Sequence, residues 1–308
     1  MKNIAVIAKV NHNFNIYIQQ LIELLKNLGC NVFSQVNLNQ LELKTNIANK
    51  YCVGSLDSWV QDLDLAIIMG GDGTLLSVGR TLAKYNTPII GINFGGVGFM
   101  TDISTADMLQ VIKAVIVDKA FYVEQRSVLN LKIYRNNCLF FHSIAINDLV
   151  LSAKNTSNLI EFEIFVNQEF MCSQRADGVI VATPTGSTAY ALAAGGSIIH
   201  PHAQVFTIVP ICPQSLSNRP VVLANNSQIE IKLTMSTNSR SVLDIESQLL
   251  PHQIFIDGQD AVDIESQDLM VIDKAEESLK LLHYNGKDCY NYFSTLRTKL
   301  NWSKKNTA

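Results

Sequence analysis

Residues 67–75 read Ile-Ile-Met-Gly-Gly-Asp-Gly-Thr-Leu. An apolar run goes straight into a glycine turn with one carboxylate at its centre, and apolar residues at helical spacing follow. A buried strand that feeds a helix through so short a turn commits the chain to a strand–helix crossover, the unit of a parallel sheet. Glycines at such a turn let backbone N–H groups approach a bulky anion, because no Cβ stands in the way. The helix start adds its dipole and its unpaired N–H groups, both favourable to phosphate. Asp72 is the only charged side chain at the mouth, an arrangement suited to a phosphate with bound metal and a hydroxyl nucleophile. A Gly-Asp-Gly turn by itself is weak, since Asp-Gly also marks hairpins. The strand-to-helix context is what gives it chemical meaning.

The spacing predicts more units of the same kind. Residues 4–8 form a buried strand. Ile18, Leu21, Ile22, Leu25 and Leu28 lie on one helical face, with Gly29 as the terminal cap. Further strands are expected at 31–34, 65–69 and 88–92, and helices at 74–83 and 107–117. A second glycine loop, Asn93-Phe94-Gly95-Gly96-Val97-Gly98-Phe99, follows the strand at 88–92. In parallel sheets, ligands lie outside the carboxyl ends of the strands, so both glycine loops are expected to border one site. Residues 35–62 and 239–251 are left unassigned.

Near residue 122 the texture changes to short β-type runs broken by Asn, Ser and Gly: 126–134, 139–151, 160–166, 178–182, 205–209 and 229–233. That pattern predicts a β-sandwich or similar lobe, interrupted by a helical insertion at 186–194. The tail, 290–302, returns to helical spacing through Tyr290, Phe293, Leu296 and Leu300. The expected architecture is an α/β N-terminal domain with a Rossmann-like parallel sheet but no Gly-x-Gly-x-x-Gly, followed by a β-rich, sandwich-like C-terminal domain. Its boundaries are 1–122, 123–275, and 276–308 as a C-terminal segment packing back on the N-terminal domain. No internal repeat or low-complexity linker is present.

Composition narrows the function. The 308 residues are 47% apolar and 17% charged, with net charge −3, enough for a large core in two domains. A near-neutral balance argues against nucleic acid or an anionic membrane as partner. The N-terminus carries five apolar residues in a row, too few for a signal peptide. No segment approaches the ~18 needed to span a bilayer. Six scattered cysteines without a Cys-x-x-Cys pair suggest reduced thiols in the cytoplasm rather than a disulfide framework or zinc site.

Two further segments carry chemistry. Arg175-Ala176-Asp177-Gly178 precedes an apolar strand and then Thr183-Pro184-Thr185-Gly186-Ser187-Thr188-Ala189-Tyr190. Ser and Thr there are ordinary helix caps, or the hydroxyls line a polar pocket for a base or ribose. Asn147-Asp148 sits inside an apolar strand, where polar groups need partners. An internal network and a ligand are equally open. Other phosphate motifs fail. Leu76 stands where the third glycine of Gly-x-Gly-x-x-Gly belongs, no Gly-Lys-Ser/Thr exists, and Gly195-Gly196-Ser197-Ile198-Ile199 lacks the last glycine of a nucleophile elbow. His200 and His202 flank Pro201 without forming a metal motif.

Taken in order, these motifs resemble the NAD kinase family, specifically its bacterial members. The resemblance runs through Gly70-Gly71-Asp72-Gly73, Gly91-Ile92-Asn93, Gly98-Phe99, Asn147-Asp148, Ser173-Gln174-Arg175-Ala176-Asp177-Gly178, the 183–190 block with Gly195-Gly196, Arg219-Pro220, Asp257-Gly258-Gln259 and Tyr292-Phe293 to Leu300-Asn301-Trp302. It implies phosphorylation of the 2′-hydroxyl of the adenosine ribose of NAD to give NADP, with ATP or polyphosphate as donor and Mg2+ present. It also implies Asp72 as proton acceptor, Gly73 at the nucleotide, and Asn147 and Asp148 on the adenosine portion. Arg175, Asp177, Thr185, Thr188, Ala189, Tyr190, Ala191, Leu192 and Ala193 would be pocket residues, and Asn158 and Gln259 would border ligand. No protein metal ligands are assigned. A homodimer or homotetramer is implied, with Ile211-Cys212 where a neighbouring subunit contributes. The family usually has Glu where this chain has Asp148. A lipid or sugar kinase sharing the glycine–aspartate turn is the alternative, and it leaves the 183–190 block unexplained. A dinucleotide-sensing module without turnover is a more distant one.

Overall fold

The computed structural model describes residues 1–8, 15–36, 60–96, 98–154, 159–234, 252–286 and 290–302. Asn158 and residues 239–251 lie outside the described residues, as does most of the 35–62 stretch. The chain divides into two compact units, Met1–Gln125 with Leu279–Ala308, and Arg126–Ser278.

In the first unit, β1 (Asn3–Ala8), β2 (Asn31–Val36), β3 (Leu65–Met69) and β4 (Ile89–Asn93) pair in parallel in the order β4-β3-β1-β2. The short β5 (Ile103–Ser104) extends β4. Every residue of β3 is buried, as expected of a strand covered on both faces. Helix α1 (Asn15–Asn27) turns Leu21 and Leu25 inward, and α3 (Met108–Lys113) adds Met108 and Ile112. Both pack on the face that carries Ile4, Val6, Leu65 and Ile67. Gly29 ends α1 at φ +76°, so the expected cap is in place. Helix α2 (Asp72–Lys84) packs on β3 and β4. It begins at Asp72 itself, two residues earlier than its spacing predicts. The helix expected over 107–117 continues beyond α3 as a π turn to Asp118. Because β1 has β2 on one side and β3 on the other, the carboxyl ends of β1 and β3 form the crevice where such sheets take ligands.

The second unit is a sandwich. One sheet contains β6 (Phe121–Arg135), β7 (Cys138–Ala145), β9 (Ile160–Val166), β10 (Glu169–Ala176), β14 (Ile229–Leu233) and β17 (Leu269–Tyr284). The other runs β13 (Val221–Ala224), β12 (Val205–Ile211), β11 (Gly178–Ala182), β8 (Asp148–Ala153), β15 (His252–Ile256), β16 (Asp260–Ile264). Alternate residues meet in a shared core: Leu129, Leu131, Phe162 and Ile231 from the first sheet, Leu149, Leu151, Val179, Val181, Phe206 and Ile254 from the second. Val150, Ile180, Ala182 and Val209 point the other way and pack against Ala191, so β8 and β11 are buried on both faces. That is why their sequences read as unbroken apolar runs. The run 139–151 is not one strand, however. The chain breaks at Ile146-Asn147, with β7 in one sheet and β8 in the other. Asn147 therefore lies at a corner, and Asp148 opens β8.

The last residues of β17 return to the first unit, where Leu281 pairs with Ile89 in parallel. The C-terminal helix, Tyr292–Lys299, follows, and Tyr292 places its ring against Phe99 at 6.5 Å. Beside it lies a buried triad that no motif announces. His283 is 1% exposed. Its Nδ1 is 2.9 Å from Asp102 Oδ2 and its Nε2 2.9 Å from Glu124 Oε2. A neutral imidazole has one N–H, so two carboxylate contacts call for the imidazolium. Burial alone lowers the His283 pKa. The hydrogen bonds and charges of Asp102 and Glu124 outweigh it and hold the pKa above its ordinary value. A histidine with a raised folded pKa contributes stability that is fully present below about 6.5 and lost as pH rises through the folded value. The gap in thermal midpoint between the wild type and His283→Gln is therefore expected to be widest near pH 6 and to close on the alkaline side. A gap that stays constant with pH rules the imidazolium out.

Candidate active site

Asp72 is the first residue of α2, and its carboxylate is fixed by the other glycine loop. Oδ2 accepts the Phe99 N–H at 2.9 Å. Oδ1 accepts the Met100 N–H at 3.0 Å and the Thr101 hydroxyl at 3.2 Å. Thr101 is buried and in turn accepts from Asn93 Nδ2 at 3.0 Å. Gly98 closes the turn, its N–H donating to Thr101 O at 2.7 Å, and a Cβ there would strike both the Asp72 carboxylate and the Thr101 hydroxyl. The two loops leaving β3 and β4 thus form one site, as their positions at the carboxyl ends predict. Gly71 and Gly73 differ from Gly98. A Cβ at either would meet nothing within 4 Å, and neither has a positive φ. The fold does not need glycine at these two exposed positions, whereas a ligand resting on the backbone does.

The second unit holds a cavity of ≈ 420 Å³ lined by Asn147, Asp148, Ala189, Tyr190, Asp257 and Gly258, among others. Asp257 builds its floor. Its carboxylate accepts the N–H groups of Ile146 at 3.0 Å, Asn147 at 2.7 Å and Asp148 at 3.3 Å. These bonds take three consecutive backbone donors at the corner between β7 and β8. Asp257 holds this position at φ +52°, a conformation Asp tolerates better than most residues. Asp148 is buried beside it. Desolvation first, and then the neighbouring Asp257 charge, raise its pKa to about 7, and the Tyr190 N–H offsets part of the rise. Near neutrality Asp148 therefore both donates and accepts. Asn147 Oδ1 is buried with no hydrogen-bond partner among the described residues, an acceptor placed in the cavity wall.

The 183–190 block forms this wall, and the hydroxyls of Thr183, Thr185, Ser187 and Thr188 bond within the chain. Thr183 Oγ1 donates to Ile146 O at 2.7 Å and accepts from Gly186 N at 3.1 Å. Ser187 Oγ donates to Pro184 O at 2.6 Å and accepts from Ile199 N at 3.0 Å. Thr188 donates to Thr185 O at 3.2 Å, and the buried Thr185 hydroxyl takes Arg126 Nη1 at 3.4 Å. A Cβ on Gly186 would strike the Asn147 carbonyl, so glycine is what lets the block lie flat on the β7–β8 corner. The Thr183 bond to Gly186 N is a capping contact, and Thr183, Ser187 and Thr188 also donate to carbonyls of the chain. They stitch the turn, and Ala189 and Tyr190, at the start of the short helix α4 (Tyr190–Ala193), line the cavity.

The other expected residues fall elsewhere. Ala191 is core, and Leu192 and Ala193 lie away from the lining. Arg175 is exposed on β10, its Nε 3.4 Å from Glu161. Asp177 is exposed just beyond it, and Gln259 is exposed in the turn after β15. None of these three lines the cavity. Asp257 and the Phe99–Thr101 donors were outside the expected site list. The sequence signal for them lies in the Asp257-Gly258-Gln259 and Gly98-Phe99 motifs.

A fixed carboxylate at a helix start, beside bare glycine backbone and in a chain that also holds an acidic, partly apolar pocket, is the arrangement of a phosphotransferase. Comparison with known proteins makes the class specific. Residues 4–120 match the ATP-NAD kinase N-terminal domain and residues 146–284 the ATP-NAD kinase C-terminal domain. An NAD kinase of Nitrosomonas europaea is 37% identical over 303 residues, covering 98% of this chain and 95% of that one. An NAD kinase of Laribacter hongkongensis is 42% identical over 243 residues, 79% and 78% of the two chains. Among solved structures, yeast NADH kinase complexed with NADH superposes with a TM-score of 0.81 at 25% identity, over 99% of this chain and 89% of that one. An Archaeoglobus fulgidus NAD kinase in complex with ATP shares the fold, with a TM-score of 0.71 at 24% identity, over 96% and 99%. The chain belongs to the NAD kinase family. It is a kinase that phosphorylates NAD with ATP, and the lipid or sugar kinase alternative is set aside.

Two expectations test the geometry. A carboxyl group that keeps its proton longer when folded destabilises the fold progressively as pH rises from about 4, where the unfolded side chain ionises, to about 7. Asp148→Asn removes the buried charge, so it is expected to be more stable than wild type by about 1–3 kcal/mol at pH 8 and nearly equal to it at about pH 4. Chemical denaturation at the two pH values checks this, and an advantage that does not change with pH contradicts it. Gly71→Ala is expected to leave stability within about 0.5 kcal/mol and to weaken ATP binding by calorimetry. Unchanged affinity means that nothing approaches that backbone.

Proposed function

We propose that the group phosphorylated is the 2′-hydroxyl of the adenosine ribose of NAD, giving NADP, and that Asp72 accepts its proton. A ribose hydroxyl is a poor nucleophile at neutral pH. Transfer therefore needs in-line positioning, neutralised phosphate charge and a place for the departing proton. The reading is carried by the Asp72 turn, where a carboxylate locked by three donors sits at the start of α2 beside glycines the fold does not require. Locking keeps the acceptor from swinging, so little reorganisation is needed when the hydroxyl ionises. Gly73 lies at the phosphates in this reading, where the N-terminal end of the α2 dipole favours negative charge.

In the second unit, Asn147 and Asp148 hold the adenosine portion. Asn147 Oδ1 accepts from it, and Asp148 donates or accepts according to its proton. Ala189 and Tyr190 supply the apolar wall. Arg175, Asp177, Thr185, Thr188, Ala191, Leu192, Ala193, Gln259 and Asn158 are proposed to border or support the pocket. Among the described residues no three His, Cys, Asp or Glu side chains converge as a metal cage. Mg2+ would be carried chiefly by the donor's phosphates and waters, the usual habit of that ion. When bound, Mg2+ would neutralise phosphate charge. Polyphosphate as a second donor, a homodimer or homotetramer, and a cytoplasmic location complete the proposal. No described helix is long and apolar enough to cross a membrane.

Incubation with NAD, ATP and Mg2+, read by an NADP-specific dehydrogenase, tests the product. Asp72→Asn is expected to keep dinucleotide affinity within about threefold while turnover falls by at least ~10²-fold, the scale of a positioned base. Turnover within threefold of wild type removes Asp72 from that role.

A further inference from the structure

The chain holds Asp72 in place through the loop at 98–102, and what holds that loop leads back to the buried triad. Phe99, Met100 and Thr101 are the donors on the Asp72 carboxylate, and Asp102, the next residue, is the one that His283 grips. The grip is tight on every side. The carboxylates of Asp102 and Glu124 face the two ring nitrogens of His283. Tyr290 stacks on the ring at 4.2 Å and 14°, and Tyr122 lies at 5.3 Å. The Tyr290 hydroxyl reaches Phe99 O at 3.5 Å, so the ring that covers His283 also touches the first residue of the donor run.

We propose that His283, acting through Asp102, is a positioning residue for the Asp72 carboxylate. It fixes the end of the loop whose backbone N–H groups and Thr101 hydroxyl aim that carboxylate. The physical case is short-range. Asp102, the anchor held by His283, directly follows Thr101, so releasing it loosens the Phe99–Met100–Thr101 donors. A misplacement of about 1 Å at a reacting group costs up to 10²-fold in rate. The triad reaches the Asp72 carboxylate only through the 98–102 loop, so its loss is expected to appear in kcat and not in substrate affinity. The proposal rests on Asp72 being the proton acceptor, and its test separates the two.

The test is a double-mutant cycle. His283→Gln and Asp102→Ala are each made in wild type and in Asp72→Asn, and kcat and the KM values for NAD and ATP are measured. Asp102→Ala is included because it cuts the link while leaving the His283–Glu124 pair, so it serves if His283→Gln does not fold. In the wild-type background each is expected to lower kcat by about 10- to 100-fold, with both KM values within about twofold. Asp102→Asn, which keeps an acceptor for Nδ1–H, is expected to recover most of the loss. On Asp72→Asn the same substitutions are expected to cost nothing further, because there is no longer a carboxylate to aim. Equal losses on both backgrounds make the triad merely structural and overturn the proposal, as does an unchanged kcat in wild type. If Asp72→Asn itself turns over normally, the acceptor reading fails and the positioning role fails with it.

Discussion

A carboxylate at the start of a helix is ordinarily free to swing; that of Asp72 is not. Three donors from a loop that leaves the neighbouring strand hold both of its oxygens, and most of the first unit can be understood as what this requires. The parallel order β4-β3-β1-β2 puts the ends of β3 and β4 side by side. Gly98 clears the space for the carboxylate, and Asn93 turns the Thr101 hydroxyl toward it. Two backbone N–H groups on one carboxylate are worth more than side-chain partners would be, because the strands on either side have already fixed them.

The second unit solves a similar problem with a different acid. Asp257 gathers three N–H groups from one corner, and this is why the chain leaves one sheet at Ile146 and enters the other at Asp148. Asp257 has its partners from the backbone. Asp148 lies in the shadow of that charge and is buried, so it keeps its proton to about pH 7.

Much of this was legible in the residues, and the misses have physical causes. The strands at 65–69, 160–166 and 178–182 fall at their expected bounds because they are buried on both faces or alternate cleanly. β17 went unseen because Asp273, Lys274, Glu276, Glu277 and Lys280 break any apolar run in its sequence. The run 139–151 read as one strand because hydrophobicity does not record that a distant Asp257 draws off the backbone donors at its middle. The hydroxyls of 183–190 were visible as a cluster, but whether they face inward or toward a ligand depends on Ile146 and Ile199, which are far away in sequence. His283 gave no local signal. Its partners lie 181 and 159 residues distant.

The inward-turned hydroxyls of the 183–190 block carry a consequence for selectivity. With Thr183, Ser187 and Thr188 committed to carbonyls of the chain itself, this side of the pocket is finished before any guest arrives. Little motion has to be frozen on docking, so affinity is not eroded by ordering. A wall that cannot rearrange discriminates by outline. On the proposed function, a base seated here meets Ala189 on a turn whose backbone is already fixed.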